Sequence, residues 1–311
     1  MISIYLTEEG RLTERGDIAP GAWVNLCAPT EEELAQVSET LHIEPDLLRA
    51  ALDEEERSRI DFEDGHMLIL VDTPTVEMQQ GRGFVYSTLP FGIILTEENL
   101  VTVCLKESAL ASAFSESPVR NFSTKKKNRM TLQLLYRNAA LFLFYLREVD
   151  KASNRVENEL HISMKNKELI QMLGLEKTLV YFSTSLKGNE IVLEKLLRMD
   201  FVKNYPDDTE LLEDVIIENK QAIEMCNIYR DILSGTMDAF ASVISNNLNI
   251  VMKVLAAVTI ILTIPSIIFG LWGMNVPVPF AGSPLGFFAV IGIAALLTAA
   301  ATLIMRRLKW L

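Results

Sequence analysis

The sequence predicts an α-helical membrane protein: an N-terminal α/β cytoplasmic domain, then a long helical stalk that continues into the first of two C-terminal transmembrane helices. Two observations carry this prediction, the distribution of charge and a change of periodicity near residue 125. The chain has 311 residues and a net charge of −12, but no Asp, Glu, Lys or Arg occurs between Lys253 and Arg306. The part before this gap holds all 41 acidic and 26 of the 29 basic residues, a net charge of −15. Such a split separates a hydrated part from a membrane-embedded part.

Residues 1–125 are expected to form the α/β domain. Apolar residues alternate from Ile2 to Leu6 at the period of a β-strand. A capping box that begins at Thr30 and a proline at position 45 each predict the start of a helix. Runs rich in Val, Ile and Leu predict three further strands, the last two joined around residues 96–99; these runs are 66–72, 84–95 and 100–105.

Residues 126–253 are expected to form a helical domain and the stalk. Proline and glycine become scarce, and the apolar spacing predicts helices near 130–163, 166–204 and 207–253. No proline lies between Pro206 and Pro265, so the last helix is expected to enter the membrane without a break. Its long apolar stripe favours association of parallel copies; the alternative is that helices of the same chain cover one face of it.

Two uncharged runs, 254–272 and 285–305, are predicted to span the membrane. At 1.5 Å per residue they reach about 28 and 31 Å, the thickness of a bilayer's hydrocarbon core. The segment 273–284 between them is expected to be an outer loop, and 306–311 a basic cytoplasmic tail. Basic residues flank the spans only on the side of the two termini, which predicts cytoplasmic termini in a multi-pass inner-membrane protein; they are Lys253, Arg306, Arg307 and Lys309. No cleavable signal is expected at the N-terminus.

Several classes of protein are excluded by composition. The acidic balance argues against a nucleic-acid partner, which needs a basic face, and the cluster 125–129 is expected to be a solvated linker or a first helical turn. Cys27, Cys104 and Cys226 lack metal or disulfide spacing and are expected to be reduced thiols. No phosphate-binding loop, nucleophile elbow or metal motif is present, so neither ATP use nor an enzymatic activity is expected.

A stripe of small residues follows one face of the first predicted span. Thr259, Thr263, Ser266 and Gly270 step by four, three and four residues; we call them the small-residue stripe. They suit either close helix packing or the wall of a water-containing channel, and spacing alone leaves both interpretations open. Ile268, on another face, is expected to contact lipid.

The triplet Gly273-Met274-Asn275 follows the stripe, after the segment Phe-Gly-Leu-Trp at 269–272. In this place it resembles the signature of the CorA magnesium transporter family. Segments 230–235 and 249–255 and the C-terminal Lys-Trp-Leu are similar to the same family's stalk, pore entrance and tail, and a looser likeness extends to the N-terminal domain.

The resemblance implies a homopentamer in which the first spans line a central pore and the second spans pack outside. The small-residue stripe would face the lumen, Asn249 and Leu255 would form the inner neck with Leu255 as a hydrophobic gate, and Asn275 would form the outer mouth. Mg²⁺ would be the transported ion, with Co²⁺ and Ni²⁺ as further candidates. An inside-negative potential supplies about 4.6 kcal/mol per 100 mV to a divalent ion, enough without ATP. The resemblance also places Asp214 as a regulatory ligand for cytosolic Mg²⁺, the alternative being a solvated helix face.

Some positions depart from the family pattern. The segment 276–284 carries no acid, whereas the outer loop of well-known members does, and Thr263 stands where Met is frequent. The runner-up is a ZntB-type carrier of zinc or another divalent cation. A more remote alternative is a membrane-anchored sensor or scaffold, which would need neither a polar lumen nor Asn275.

Overall fold

The structure, a computed structural model, describes residues 1–9, 11–79, 83–116, 122–163, 166–199, 201, 206–276, 278–279 and 284–310. The chain divides into two compact units, Met1–Thr236 and Met237–Leu311. The first unit contains the sheet and most of the helices. The second unit contains the two segments predicted to span the membrane.

The described part of the first unit contains one seven-stranded sheet with the order β2-β1-β3-β7-β6-β5-β4. Neighbouring strands are antiparallel except for β3 and β7, which are parallel. The strands are β1 (Ile2–Glu8), β2 (Arg11–Arg15), β3 (Trp23–Cys27), β4 (Arg59–Glu63), β5 (His66–Gln79), β6 (Gly83–Leu95) and β7 (Leu100–Cys104). The four strands predicted from the sequence are confirmed, and β2, β3 and β4 are additional.

The helices begin with α1 (Glu31–Leu41) and α2 (Pro45–Arg49), which a short 3₁₀ turn (Ala50–Leu52) follows; the others are α3 (Ala109–Glu116), α4 (Lys127–Ser163), α5 (Asn166–Arg198), α6 (Pro206–Trp272) and α7 (Pro284–Arg307). The predicted capping box is confirmed, because the Thr30 hydroxyl accepts from the Glu33 amide while the Glu33 carboxylate accepts from the Thr30 amide. The prediction of one unbroken helix into the first span is also confirmed by α6. Helix α5 ends at Arg198, earlier than the expected residue 204.

Apolar clusters cover both faces of the sheet. Leu68 and Leu70 of β5 face the cluster that includes α1 and α2, whereas Ile69 and Val71 face the cluster that includes α3, α4, α5 and the start of α6. This alternation follows from the period of two in a strand. The α/β domain is thus a three-layer arrangement with helices on both sides of the sheet.

Helix α6 packs on its own chain in the first unit. Leu212 and Val215 lie in the same cluster as the sheet. Farther along, the Asn219 amide donates to the Leu186 carbonyl of α5 at 3.1 Å, and Cys226 is buried. The alternative weighed from the sequence, that helices of the same chain cover one face of the stalk, therefore holds for this segment.

The basic cluster 125–129 has a structural role. Lys127 begins α4, as expected for a first helical turn, and its ammonium donates to the carbonyls of Thr96 and Glu97. Burial lowers the pKa of Lys127. Arg129 forms a 2.7 Å ion pair with Asp208, whose side chain is 8% exposed. These contacts fix the start of α4 to the sheet and to α6.

The Asn189 side chain hydrogen-bonds to the backbone of β5 just past the point where β4 ends. Its side-chain oxygen accepts from the Asp72 amide at 2.8 Å, and its side-chain nitrogen donates to the Asp72 carbonyl at 2.9 Å. The pairing of β4 with β5 stops at Leu70, so the Asn189 amide group takes the place that a further strand residue would occupy. Asn189 is buried.

We expect Asn189→Leu to destabilise the first unit by about 1–3 kcal/mol, because it leaves the part-buried backbone amide of Asp72 without this partner. Asn158→Leu, on an exposed position of α4, is the matched control and should change stability by less than about 0.5 kcal/mol. Thermal unfolding followed by circular dichroism would measure both. Equal transition temperatures for the two variants would contradict the role of Asn189.

Candidate functional site

The second unit contains two segments long and apolar enough to cross a membrane. They belong to Pro206–Trp272 and Leu285–Arg307, and the most apolar 18-residue window of each has a mean hydropathy of 2.5 and 2.4. Only 11% of each window is buried within the chain, unlike the core helix of a soluble protein. The predicted spans 254–272 and 285–305 lie within these two helices.

Within this unit, α6 packs against α7 through one face. Ile268 is buried together with Val290 and Ala294 of α7, and Ile264 and Trp272 pack against this cluster. Ile264, Ile268 and Trp272 follow one another at steps of four residues, which places them on one helix face. The expectation that Ile268 faces lipid is wrong, because α7 covers it.

The small-residue stripe lies on the opposite face of α6. Thr259 is nine residues from Ile268, or about two and a half helical turns. All four residues of the stripe are exposed in the single chain. Packing against α7 therefore does not explain the stripe.

The hydroxyl groups of the stripe are oriented by their own helix. Thr259 donates to the Leu255 carbonyl at 2.8 Å, and Thr263 donates to the Thr259 carbonyl at 2.7 Å. Ser266 donates in the same way to the carbonyl four residues before it, at 3.1 Å. Because each hydroxyl proton is used inside the helix, the remaining lone pairs of each oxygen are available as hydrogen-bond acceptors.

The Gly273-Met274-Asn275 triplet follows directly after the last residue of α6. The Gly273 amide donates to the Phe269 carbonyl at 2.9 Å, and a Cβ at Gly273 would lie 3.2 Å from that same oxygen. Glycine is therefore favoured at this close approach. Met274 and Asn275 are exposed.

A hydrogen bond holds part of the segment after Asn275 close to the end of α6. The Trp272 indole donates to the Pro279 carbonyl at 3.2 Å, a contact that the sequence pattern did not predict. Of the expected outer loop 273–284, residues 277 and 280–283 lie outside the described residues. The contact ties the described part of this loop to the helix that carries the stripe.

The residues predicted for the cytoplasmic side are exposed. Asn249, Leu255 and Lys253 lie on uncovered positions of α6, and Leu255 is 57% exposed although it is apolar. The basic residues of the tail are exposed at the end of α7; they are Arg306, Arg307 and Lys309. Residue 311 of the predicted tail lies outside the described residues.

Asp214 is exposed on α6 within the first unit. Among the described residues, no group of three or more His, Cys, Asp or Glu side chains could hold a metal ion. Asp214 therefore belongs to no such group among the described residues of its own chain. Asp208, in the first turn of the same helix, is buried and forms an ion pair with Arg129.

Comparison with known proteins gives one family. A family model described as "CorA-like Mg2+ transporter protein" matches residues 20–307. The cobalt/magnesium transport protein CorA of Methanocaldococcus jannaschii is 28% identical over 303 residues, which are 93% of this chain and 91% of that protein.

Solved structures match the fold. The complete structure of the CorA magnesium transporter from Methanocaldococcus jannaschii superposes with a TM-score of 0.86 at 24% identity, over 100% of this chain and 99% of that one. The ZntB cytoplasmic domain from Vibrio parahaemolyticus matches with a TM-score of 0.58 at 13% identity, over 79% of this chain and 97% of that one. The predicted architecture, an α/β domain with a long helix and two C-terminal apolar helices, is confirmed by the first of these.

Proposed function

The chain belongs to the CorA-like Mg²⁺ transporter family, whose members are ion transporters rather than enzymes, and we propose that it conducts Mg²⁺ into the cytoplasm through a central pore. The membrane potential drives this influx, at about 4.6 kcal/mol per 100 mV for a divalent ion. Co²⁺ and Ni²⁺ are further candidate ions. The protein lies in the inner membrane with both termini in the cytoplasm, because basic residues flank the two spans on that side.

The observation that carries the proposal is the orientation of the small-residue stripe. Mg²⁺ gives up its water reluctantly and is conducted with much of its hydration shell. The hydrogens of that water point away from the ion, so a pore wall must present acceptors. Thr259, Thr263 and Ser266 present acceptor oxygens on the face of α6 that α7 leaves uncovered. A membrane-anchored sensor or scaffold would not need this arrangement.

A single stripe cannot enclose a lumen, so the pore requires several chains. We take the family's homopentamer as the assembly, with α6 at the centre and α7 outside. Closed cyclic symmetry then repeats each acceptor of the stripe as a ring. Native mass spectrometry in a mild detergent that recorded a stable monomer or dimer would contradict this assembly.

Two constrictions are assigned to the ends of the pore. The Asn275 side chains form the outer mouth, next to Gly273 and Met274, where neutral oxygens contact the hydrated ion. Asn249 and Leu255 form the inner neck, and a ring of Leu255 side chains closes it by excluding water. Nothing acidic follows Asn275 in the loop, so Asn275 and backbone carbonyls provide the attraction for cations.

A ZntB-like carrier of Zn²⁺ or another divalent cation is the second candidate, favoured by the match to the ZntB cytoplasmic domain and by the acid-free loop. Uptake of Mg²⁺, Co²⁺, Ni²⁺ and Zn²⁺ into liposomes containing the purified protein would separate the two. We expect Mg²⁺ uptake that increases with an imposed inside-negative potential and does not require a proton gradient. Uptake of Zn²⁺ without Mg²⁺ would support the second candidate, and no uptake of any ion would contradict transport.

The stripe also makes a prediction about water access. A cysteine at Thr263 should react with a small, membrane-impermeant thiol reagent, because it faces a hydrated lumen. A cysteine at Ile268 is the matched control and should react at least about tenfold more slowly, because α7 covers this position. The Cys27, Cys104 and Cys226 thiols are removed in both variants. Equal reactivity at the two positions would contradict a lumen on this face.

A further inference from the structure

Cys27 and Cys104, far apart in the sequence, lie side by side in the sheet. They are directly paired residues of the parallel strands β3 and β7. Neighbouring strands lie about 4.8 Å apart, and disulfides join Cα atoms that are about 4.4–6.8 Å apart. Both side chains belong to the same apolar cluster, so they point to the same face of the sheet.

The two neighbouring thiols differ in exposure. The Cys104 thiol donates to the Leu26 carbonyl, with Sγ and the carbonyl oxygen 3.6 Å apart. Cys104 is 3% exposed, whereas Cys27 is only partly buried. Burial raises the pKa of the Cys104 thiol, and the adjacent Cys27 thiol raises it further. A soluble oxidant therefore reaches Cys27 first, with the sulfur of Cys104 directly beside it.

The backbone around the pair can adjust. Both strands end at these residues, and Ala28 turns away with a φ of 42°. Ala28 still donates to the Cys104 carbonyl at 2.9 Å, which keeps the two strand ends together. Closing the sulfurs to bonding distance requires a movement of strand ends and leaves the centre of the sheet in place.

We infer that Cys27 and Cys104 are a redox modification site. The two residues form a reversible disulfide with each other by exchange with small disulfides such as oxidised glutathione. The Cys27 thiolate attacks one sulfur of the small disulfide, forms a mixed disulfide and releases one small thiol. Cys104 then loses its proton to solvent and attacks the Cys27 sulfur, which releases the second small thiol. Two protein thiols are oxidised and one small disulfide is reduced.

The disulfide would link the two strands of the β3–β7 pairing. The β3–β7 pairing joins the β2-β1-β3 part to the β7-β6-β5-β4 part, and it is the one parallel pairing among the described strands. A disulfide here fixes these two parts together and closes a long loop of the unfolded chain. Cytosolic thiols are normally kept reduced, so the bond would form under oxidative load.

The test uses the full-length protein in detergent with increasing oxidised glutathione. Mass spectrometry of the intact protein should show a mass lower by two hydrogen atoms. Proteolytic digestion should yield a peptide in which a disulfide links Cys27 to Cys104. Cys226 should remain a free thiol that is alkylated after denaturation. The transition temperature should rise by about 5–10 °C on oxidation and fall again with dithiothreitol. Cys226→Ser is the matched control and should behave like the parent protein.

Single variants test the order of the steps. Cys104→Ser should keep a glutathione adduct at Cys27, because the second sulfur is absent. Cys27→Ser should react at least about tenfold more slowly than the parent, because the remaining sulfur is buried. A lasting Cys27 adduct in the parent protein, a bond that involves Cys226, or no reaction at either residue would overturn the inference.

Discussion

Asn275→Ala should reduce Mg²⁺ influx at least about tenfold while leaving the assembly intact. In the proposed pentamer, five Asn275 side chains accept hydrogen bonds from the water around the ion at the mouth. Each such bond contributes about 0.5–1.5 kcal/mol, and 1.4 kcal/mol corresponds to a tenfold change in rate. Alanine removes all five acceptors, and the loop that follows has no acid to replace them.

Val276→Ala is the matched control for this prediction. Val276 is the next residue, is 53% exposed and has no side-chain oxygen, so its truncation changes local packing without removing an acceptor. Influx would be recorded with a Mg²⁺-sensitive dye in liposomes, and assembly by size-exclusion chromatography. Influx by Asn275→Ala equal to that of the Val276→Ala variant would remove Asn275 from the proposed mouth.

The long elements were predictable from the sequence because their signals are local. The period of α6 persists over many turns, and the uncharged runs are as long as a bilayer is thick. Strand β3 has only five residues, and β2 is mostly exposed and charged. Such strands are recognised by their partners in the sheet, which a single short segment does not reveal.

The candidate site was predictable in composition but not in orientation. The spacing of the small-residue stripe follows from helix geometry, but the face that α7 covers depends on how two helices pack. The prediction that Ile268 contacts lipid was wrong for this reason. The same limit applies to Asp208, whose partner Arg129 is distant in the sequence, and to the pairing of Cys27 with Cys104.

Asp214 lies on the face of α6 that its own chain leaves uncovered. Ile217, Ile228 and Ile232 follow it by three, fourteen and eighteen residues, close to whole numbers of helical turns. These isoleucines are 62%, 55% and 56% exposed, although a hydrated helix face seldom carries such a row of large apolar residues. We propose that a neighbouring subunit covers this face and that Mg²⁺ binds there between Asp214 and that subunit.

Asp214→Ala should therefore weaken inhibition by cytosolic Mg²⁺. Ion binding between subunits screens the repulsion of chains that each carry many acidic residues, and so favours the closed assembly. We expect the Mg²⁺ concentration for half-inhibition to rise about tenfold, which corresponds to a coupling free energy of about 1.4 kcal/mol. Added Mg²⁺ should also protect this variant less from proteolysis than it protects the parent protein.

Glu213→Ala separates specific binding from diffuse screening. Glu213 is exposed and adjacent, so its removal changes the charge of each chain by the same amount as Asp214→Ala. It projects about 100° away from Asp214 around the helix, so the two carboxylates point in different directions. A specific site requires that the inhibition curve shift for Asp214→Ala and stay in place for Glu213→Ala. Equal shifts would assign the effect to the whole acidic surface, and two curves that overlay the parent's would remove Asp214 from regulation while leaving the pore proposal intact.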